Sequence, residues 1–106
     1  MKPMKPNTEK VAINAINCVS EAYGIQETTF FKKHGTRRHV EARWVVWKLL
    51  RKYTSESFTA IGRLFGHDHC TVQYGLKTLD GYIDVDHKTR AEYEAIETAF
   101  EERLAL

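Results

Sequence analysis

Residues 57–79, SFTAIGRLFGHDHCTVQYGLKTL, hold two short amphipathic segments with almost no chain between them. Phe58, Ile61, Leu64 and Phe65 recur at three- and four-residue spacing and share one helical face. Ser57 stands where an N-cap hydroxyl is wanted, and Gly66 follows the last apolar residue, where a left-handed residue ends a helix at low cost. Asp68 is placed to cap a second helix, whose stripe is Val72, Leu76, Leu79 and Ile83. The pattern predicts two helices joined by a tight turn.

At about 100° per residue, Cys70, Tyr74 and Lys77 point away from that stripe, with Thr71 and Gln73 on its flanks. His69, Cys70 and Thr71 fall in the first turn, beside unpaired backbone N–H groups and the positive end of the helix dipole. Short polar side chains and an imidazole there suit the major groove of duplex DNA. An ordinary helical hairpin fits the same pattern, so this stretch alone leaves both readings open.

Length narrows the choice. A chain of 106 residues can build one core, but not a core plus an ATPase module, and no G-x-x-x-x-G-K-S/T sequence occurs. Cys18 and Cys70 form no C-x-x-C pair. The start MKPMKPNTEK lacks the apolar stretch of an export signal, and no apolar run approaches the roughly 18–20 residues of a membrane span. The expectation is a cytoplasmic protein with reduced thiols and no membrane contact.

The net charge is only +2, but it is unevenly spread. Residues 32–52 carry Lys32, Lys33, Arg37, Arg38, Arg43, Lys48, Arg51 and Lys52 against Glu41 alone, whereas residues 81–106 carry seven acids against three basic residues. This predicts one basic surface for a polyanion and an acidic end turned away from it, although a merely solvated face has the same composition.

In chain order, residues 1–7 read as a flexible arm, because Pro3 and Pro6 oppose helix and nothing apolar ties them down. A helix follows from Thr8 to Tyr23, with a stripe of Ala12, Ala15, Ile16, Val19, Ala22 and Tyr23 and a stop at Gly24. Residues 26–33 suggest a short helix anchored by Phe30 and Phe31. The stretch KKHGTRRHVEAR reads as a loop broken at Gly35 and Thr36. A helix then starts near Glu41, or earlier near His39, and buries Val45, Val46, Leu49, Leu50 and Tyr53, with Trp44 and Trp47 packing against neighbours. Asp86 caps a last helix with Tyr93, Ile96, Phe100 and Leu104 inside and Glu92, Glu94, Glu97, Glu101 and Glu102 on its solvated face. The expected fold is all-α: a helical domain over residues 8–106, of about six helices containing a helix-turn-helix.

The segment IGRLFGHDHCTV resembles the signature of the C-terminal DNA-binding domain of the bacterial replication initiator DnaA, I-G-x-x-F-G-G-R-D-H-S/T-T-V. Ile61, Gly62, Phe65, Gly66, Asp68, His69, Thr71 and Val72 match it. The turn is one residue shorter here, His67 stands in place of Arg, and Cys70 in place of Ser or Thr. The helices on either side resemble the family too, so nearly the whole chain is covered. The resemblance implies a helix-turn-helix of Trp-repressor-like type standing without the ATPase. It also implies base reading in the major groove by Asp68, His69, Cys70 and Thr71, and a basic loop in the minor groove. Glu41 occupies the position of that loop's Arg, and Ala42 that of the following Pro. A carboxylate is repelled at a minor-groove floor. Arg37 and Arg38 are then the candidates for that groove.

Lys33, Arg43, Lys48, Arg51, Arg63 and Lys77 complete the expected contacts to the DNA backbone or minor groove. Among the base readers, His69 can donate to a base and Asp68 can accept from a cytosine amine. Cys70 can touch a thymine methyl, and Thr71 a methyl or a phosphate. No metal or cofactor is expected: His67, His69 and Cys70 are too close in sequence to converge on one ion, and no second ligand cluster completes a set. Adjacent helix positions point about 100° apart, which also argues against a Cys70–His69 nucleophile, so no enzyme is expected. The expected partner is double-stranded DNA, bound by one monomer per site, in replication control or transcription regulation, with competition against an initiator for its sites as a further expectation. The alternative is a protein-interaction adaptor that kept the scaffold and lost specific DNA binding.

Overall fold

Side-chain caps set the helix boundaries. The computed structural model describes residues 6–33 and 35–106, which form helices α1 (Pro6–Tyr23), α2 (Arg37–Tyr53), α3 (Phe58–Phe65), α4 (His69–Val85) and α5 (His87–Leu104), with one 3₁₀ turn at Glu27–Phe31. Ser57 accepts from the Ala60 N–H at 3.1 Å, Asp68 from the Thr71 N–H at 2.8 Å and Asp86 from the Lys88 N–H at 3.2 Å. Each satisfies a donor that the first helical turn leaves unpaired. Gly66, at φ +78°, ends α3 in the left-handed region.

Two boundaries differ from expectation. α1 begins at Pro6, so Pro6 and Asn7 are helical rather than part of an arm, while residues 1–5 of that arm lie outside the described residues. Proline is tolerated in a first turn because the N–H it lacks has no partner there. α2 begins at Arg37, earlier than either expected start. Thr36 supplies the cap by accepting from the His39 N–H at 3.4 Å, and Arg37 pairs with Glu41 one turn on at 3.0 Å. Arg37 and Arg38 therefore sit on a helix and not on a loop.

The helices close around one core. α2 is the central element, packing on α1, α3 and α4, while α1 and α4 pack on α5. Trp47, Phe30, Phe65, Phe100, Leu49, Leu50, Ile61 and Leu79 are fully buried. Each such side chain contributes about 1.5–3 kcal/mol on removal from water. Trp44 lies flush on α4, where a Cβ on Gly75 would come 2.3 Å from its Cδ1. On α1 the buried face is Val11, Ala12, Ala15, Cys18 and Val19, and Ala22 is exposed. Phe31 is 53 % exposed, so of the two phenylalanines expected to anchor that segment only Phe30 is interior. Glu97 is not a solvated residue. It accepts from Lys52 Nζ at 2.6 Å, Tyr53 at 3.1 Å and Tyr93 at 3.2 Å. Burial alone raises a carboxyl, but these bonds prevail and hold Glu97 below its ordinary value.

Candidate nucleic-acid interface

The exposed surface of α4 is built from the turn that precedes it. Asp68 stops the chain in an extended conformation at φ −82°, ψ 167°, and caps the helix, so His69 opens α4 with Cys70 and Thr71 in the same turn. All three are exposed, and Cys70 Sγ lies 3.5 Å from His69 Nε2. Gln73, Tyr74 and Lys77 continue this surface, whereas Val72, Gly75, Leu76 and Leu79 face the core. Asp68 is exposed as well, but one of its oxygens is committed to the Thr71 N–H. The bond to that N–H, followed by the one to the Thr71 hydroxyl, holds the carboxyl below its usual range.

A second segment comes close to the turn. Phe31 stacks on Phe65 at the end of α3, with ring centroids 5.3 Å apart, and Lys32 and Lys33 follow it, both exposed. Arg63, on α3, is exposed.

The basic run from residue 32 to 52 does not form a single surface. A helix turns about 100° per residue and distributes such a run around its axis. Arg43 points inward: it is 3 % exposed, and its Nε donates to the Thr29 carbonyl at 3.4 Å. It therefore cannot reach a phosphate, contrary to the expectation that counted every cation of the run. Lys48 is bound to Asp80 at 2.5 Å and lies over the Tyr93 ring, and Lys52 is bound to Glu97. Arg51 lies over Phe58 and donates to the Glu56 carbonyl at 2.9 Å, yet remains exposed. Arg38 lies over the Tyr23 ring and donates to its carbonyl at 3.0 Å. Arg37 lies over Tyr82, donates to its hydroxyl and pairs with Glu41. Tyr82 was not among the expected site residues; only the four-residue spacing of Arg37 and Glu41 hinted at this cluster.

Among the described residues no group of three His, Cys, Asp or Glu side chains is placed to hold a metal ion, and no helix is long and apolar enough to cross a membrane. Two helices joined by a tight turn, the second presenting its polar first turn to solvent, define a helix-turn-helix domain. The bacterial DnaA protein helix-turn-helix family matches residues 13–79. The chromosomal replication initiator protein DnaA of Bacteroides fragilis is 33 % identical over 104 residues, covering 96 % of this chain and 22 % of that protein. The initiator of Chloroflexus aurantiacus is 38 % identical over 82 residues, or 76 % of this chain and 17 % of that protein. That of Dechloromonas aromatica is 40 % identical over 68 residues, 63 % of this chain and 15 % of the relative. The chain belongs to the bacterial DnaA helix-turn-helix family and spans about a fifth of the length of the curated relatives it matches. Membership in this family implies DNA binding.

Proposed function

We propose that this domain binds duplex DNA sequence-specifically at a DnaA-box-like site, as one monomer per site, and acts in replication control or in transcription regulation, or competes with an initiator for its sites. The observation that carries the reading is the exposed first turn of α4, where His69, Cys70 and Thr71 stand together at the positive end of the helix. His69 donates to a base, Cys70 meets a thymine methyl, and Thr71 takes a phosphate or a methyl. The Asp68 oxygen not used by the cap accepts from a cytosine amine. Lys33, Arg63 and Lys77 hold the strands, with Arg37, Arg38 and Arg51 joining once their side chains turn from their internal partners.

A labelled duplex carrying a DnaA box, titrated beside a scrambled one, tests this reading. His69→Ala is expected to cost about 1–3 kcal/mol against the matched duplex and to relax preference at one base pair. Lys77→Ala is expected to weaken both duplexes alike and to flatten the salt dependence by about one unit. Equal affinity of the unmodified domain for both duplexes would exclude sequence reading. An absence of binding even at low salt would favour the adaptor.

A further inference from the structure

We infer that His67 is a positioning residue for base reading: its neutral imidazole, seated against Trp47, fixes the place at which α4 starts. The inference rests on the reading of α4 proposed above and adds a residue that does not itself touch DNA.

The turn between α3 and α4 is fastened on both sides. The His67 N–H donates to the Gly62 carbonyl at 2.8 Å, and the His67 carbonyl lies so near α3 that a Cβ on Gly62 would come within 2.3 Å of it. The imidazole meets the Trp47 indole edge-on, with centroids 5.2 Å apart. His67 Nε2 and Trp47 Nε1 are both buried without a hydrogen-bond partner. Polar atoms left unpaired in this way are uncommon in folded proteins. The ring is thus held by shape and ring contact rather than by a hydrogen bond from Nε2. The next residue is Asp68, whose carboxylate caps α4, and after it comes His69. A displaced His67 ring therefore moves the cap and the reading turn together.

The charged groups around the ring are Arg43 from α2, Lys33 from the segment before α2, and Asp68 in the turn itself. Burial foremost, then Arg43 and Lys33, push the imidazole below its ordinary value, with Asp68 opposing them. Such a ring binds its proton less readily in place than in the unfolded chain. The seated arrangement is therefore unpenalised above about pH 6.5 and is progressively disfavoured as pH falls below it, the penalty reaching its full size below the folded-state value. Protonation ejects the ring, and base reading is lost while phosphate attraction remains.

The test is the ratio of affinities for DnaA-box and scrambled duplexes from about pH 7.5 to about pH 5.5, for the unmodified domain and for His67→Phe, with the Trp47 indole N–H followed by NMR. Phe fills the same place, leaves no unpaired Nε2 and cannot be protonated. In the unmodified domain the ratio is expected to fall on acidification, by up to about tenfold per pH unit, in step with the indole signal. In His67→Phe it is expected to fall much less. A level ratio in the unmodified domain, an equal decline in both proteins, or an indole that titrates without the ratio would each overturn the proposal. If His67→Phe does not fold, the paired titration of ratio and indole in the unmodified domain decides alone. The absence of any preference between the duplexes at pH 7.5 would instead bring down the reading of α4, and this inference with it.

Discussion

Replacing Gly62 by Ala is expected to destabilise the domain by about 3 kcal/mol and to abolish recognition of a DnaA-box duplex. An alanine Cβ would lie 2.3 Å from the His67 carbonyl oxygen, 3.2 Å from the His67 carbonyl carbon and 3.3 Å from that of Asp68. All three are backbone atoms, so no rotamer change relieves the clash. Overpacking typically costs about 1–3 kcal/mol, and the upper end applies where the neighbour cannot swing aside. Separating α3 from the turn also breaks the His67 N–H bond to the Gly62 carbonyl and moves the Asp68 cap. For a domain of this size the loss is on the order of 10–20 °C in Tm. Thermal unfolding followed by circular dichroism measures it. Gly81→Ala is the control: a Cβ there meets nothing within 4 Å, and alanine in mid-helix stabilises by about 0.5–1 kcal/mol. A Gly62→Ala protein as stable as the parent would show that the turn does not hold α3 and α4 at the described separation.

Apolar periodicity and short capping residues determined which parts of the fold could be read in advance. Ser57, Gly66, Asp68 and Asp86 mark helix ends in the sequence and in the structure, because each acts on backbone groups only a few residues away. The exposure of Cys70 followed from the stripe through Val72 and Leu76 on the opposite face, with Thr71 on its flank, whereas His69 lies on the stripe's own side and is exposed because it opens the helix. The fate of the cations was hidden, because it depends on partners distant in sequence. Lys48 meets Asp80, Lys52 meets Glu97 and Arg37 meets Tyr82, while Arg43 is drawn inside by a bond to Thr29. Gly35 and Thr36 read as a turn in the sequence, whereas Thr36 serves as the helix cap and sets the earlier start of α2. His67 read as a departure from a family pattern and as a rejected metal ligand. Its packing on Trp47 depends on how α2 crosses the turn.

These internal partners set the expected response to salt. The expected slope of log affinity against log salt is about −5 for contacts to six phosphates, a loss of about a thousandfold between roughly 50 and 200 mM. The six are Lys33, Arg37, Arg38, Arg51, Arg63 and Lys77, all exposed; Arg43 is excluded by burial, and Lys48 is left out because it is half-buried between Asp80 and the Tyr93 ring. Arg37, Arg38 and Arg51 already have partners within the protein. Exposed ion pairs are worth only about 0–1 kcal/mol, so a phosphate can displace Glu41 from Arg37 at little cost. Glu41→Gln removes that competitor and a negative charge from the same edge. It is expected to raise affinity for all duplexes several-fold at low salt, with no change in preference between box and scrambled sequences. A slope near −3 would mean that only Lys33, Arg63 and Lys77 reach the strands and that the three arginines stay with their internal partners. A slope flatter than about −2 would leave too few phosphate contacts to hold α4 in the groove, and the interface would have to be sought on another face.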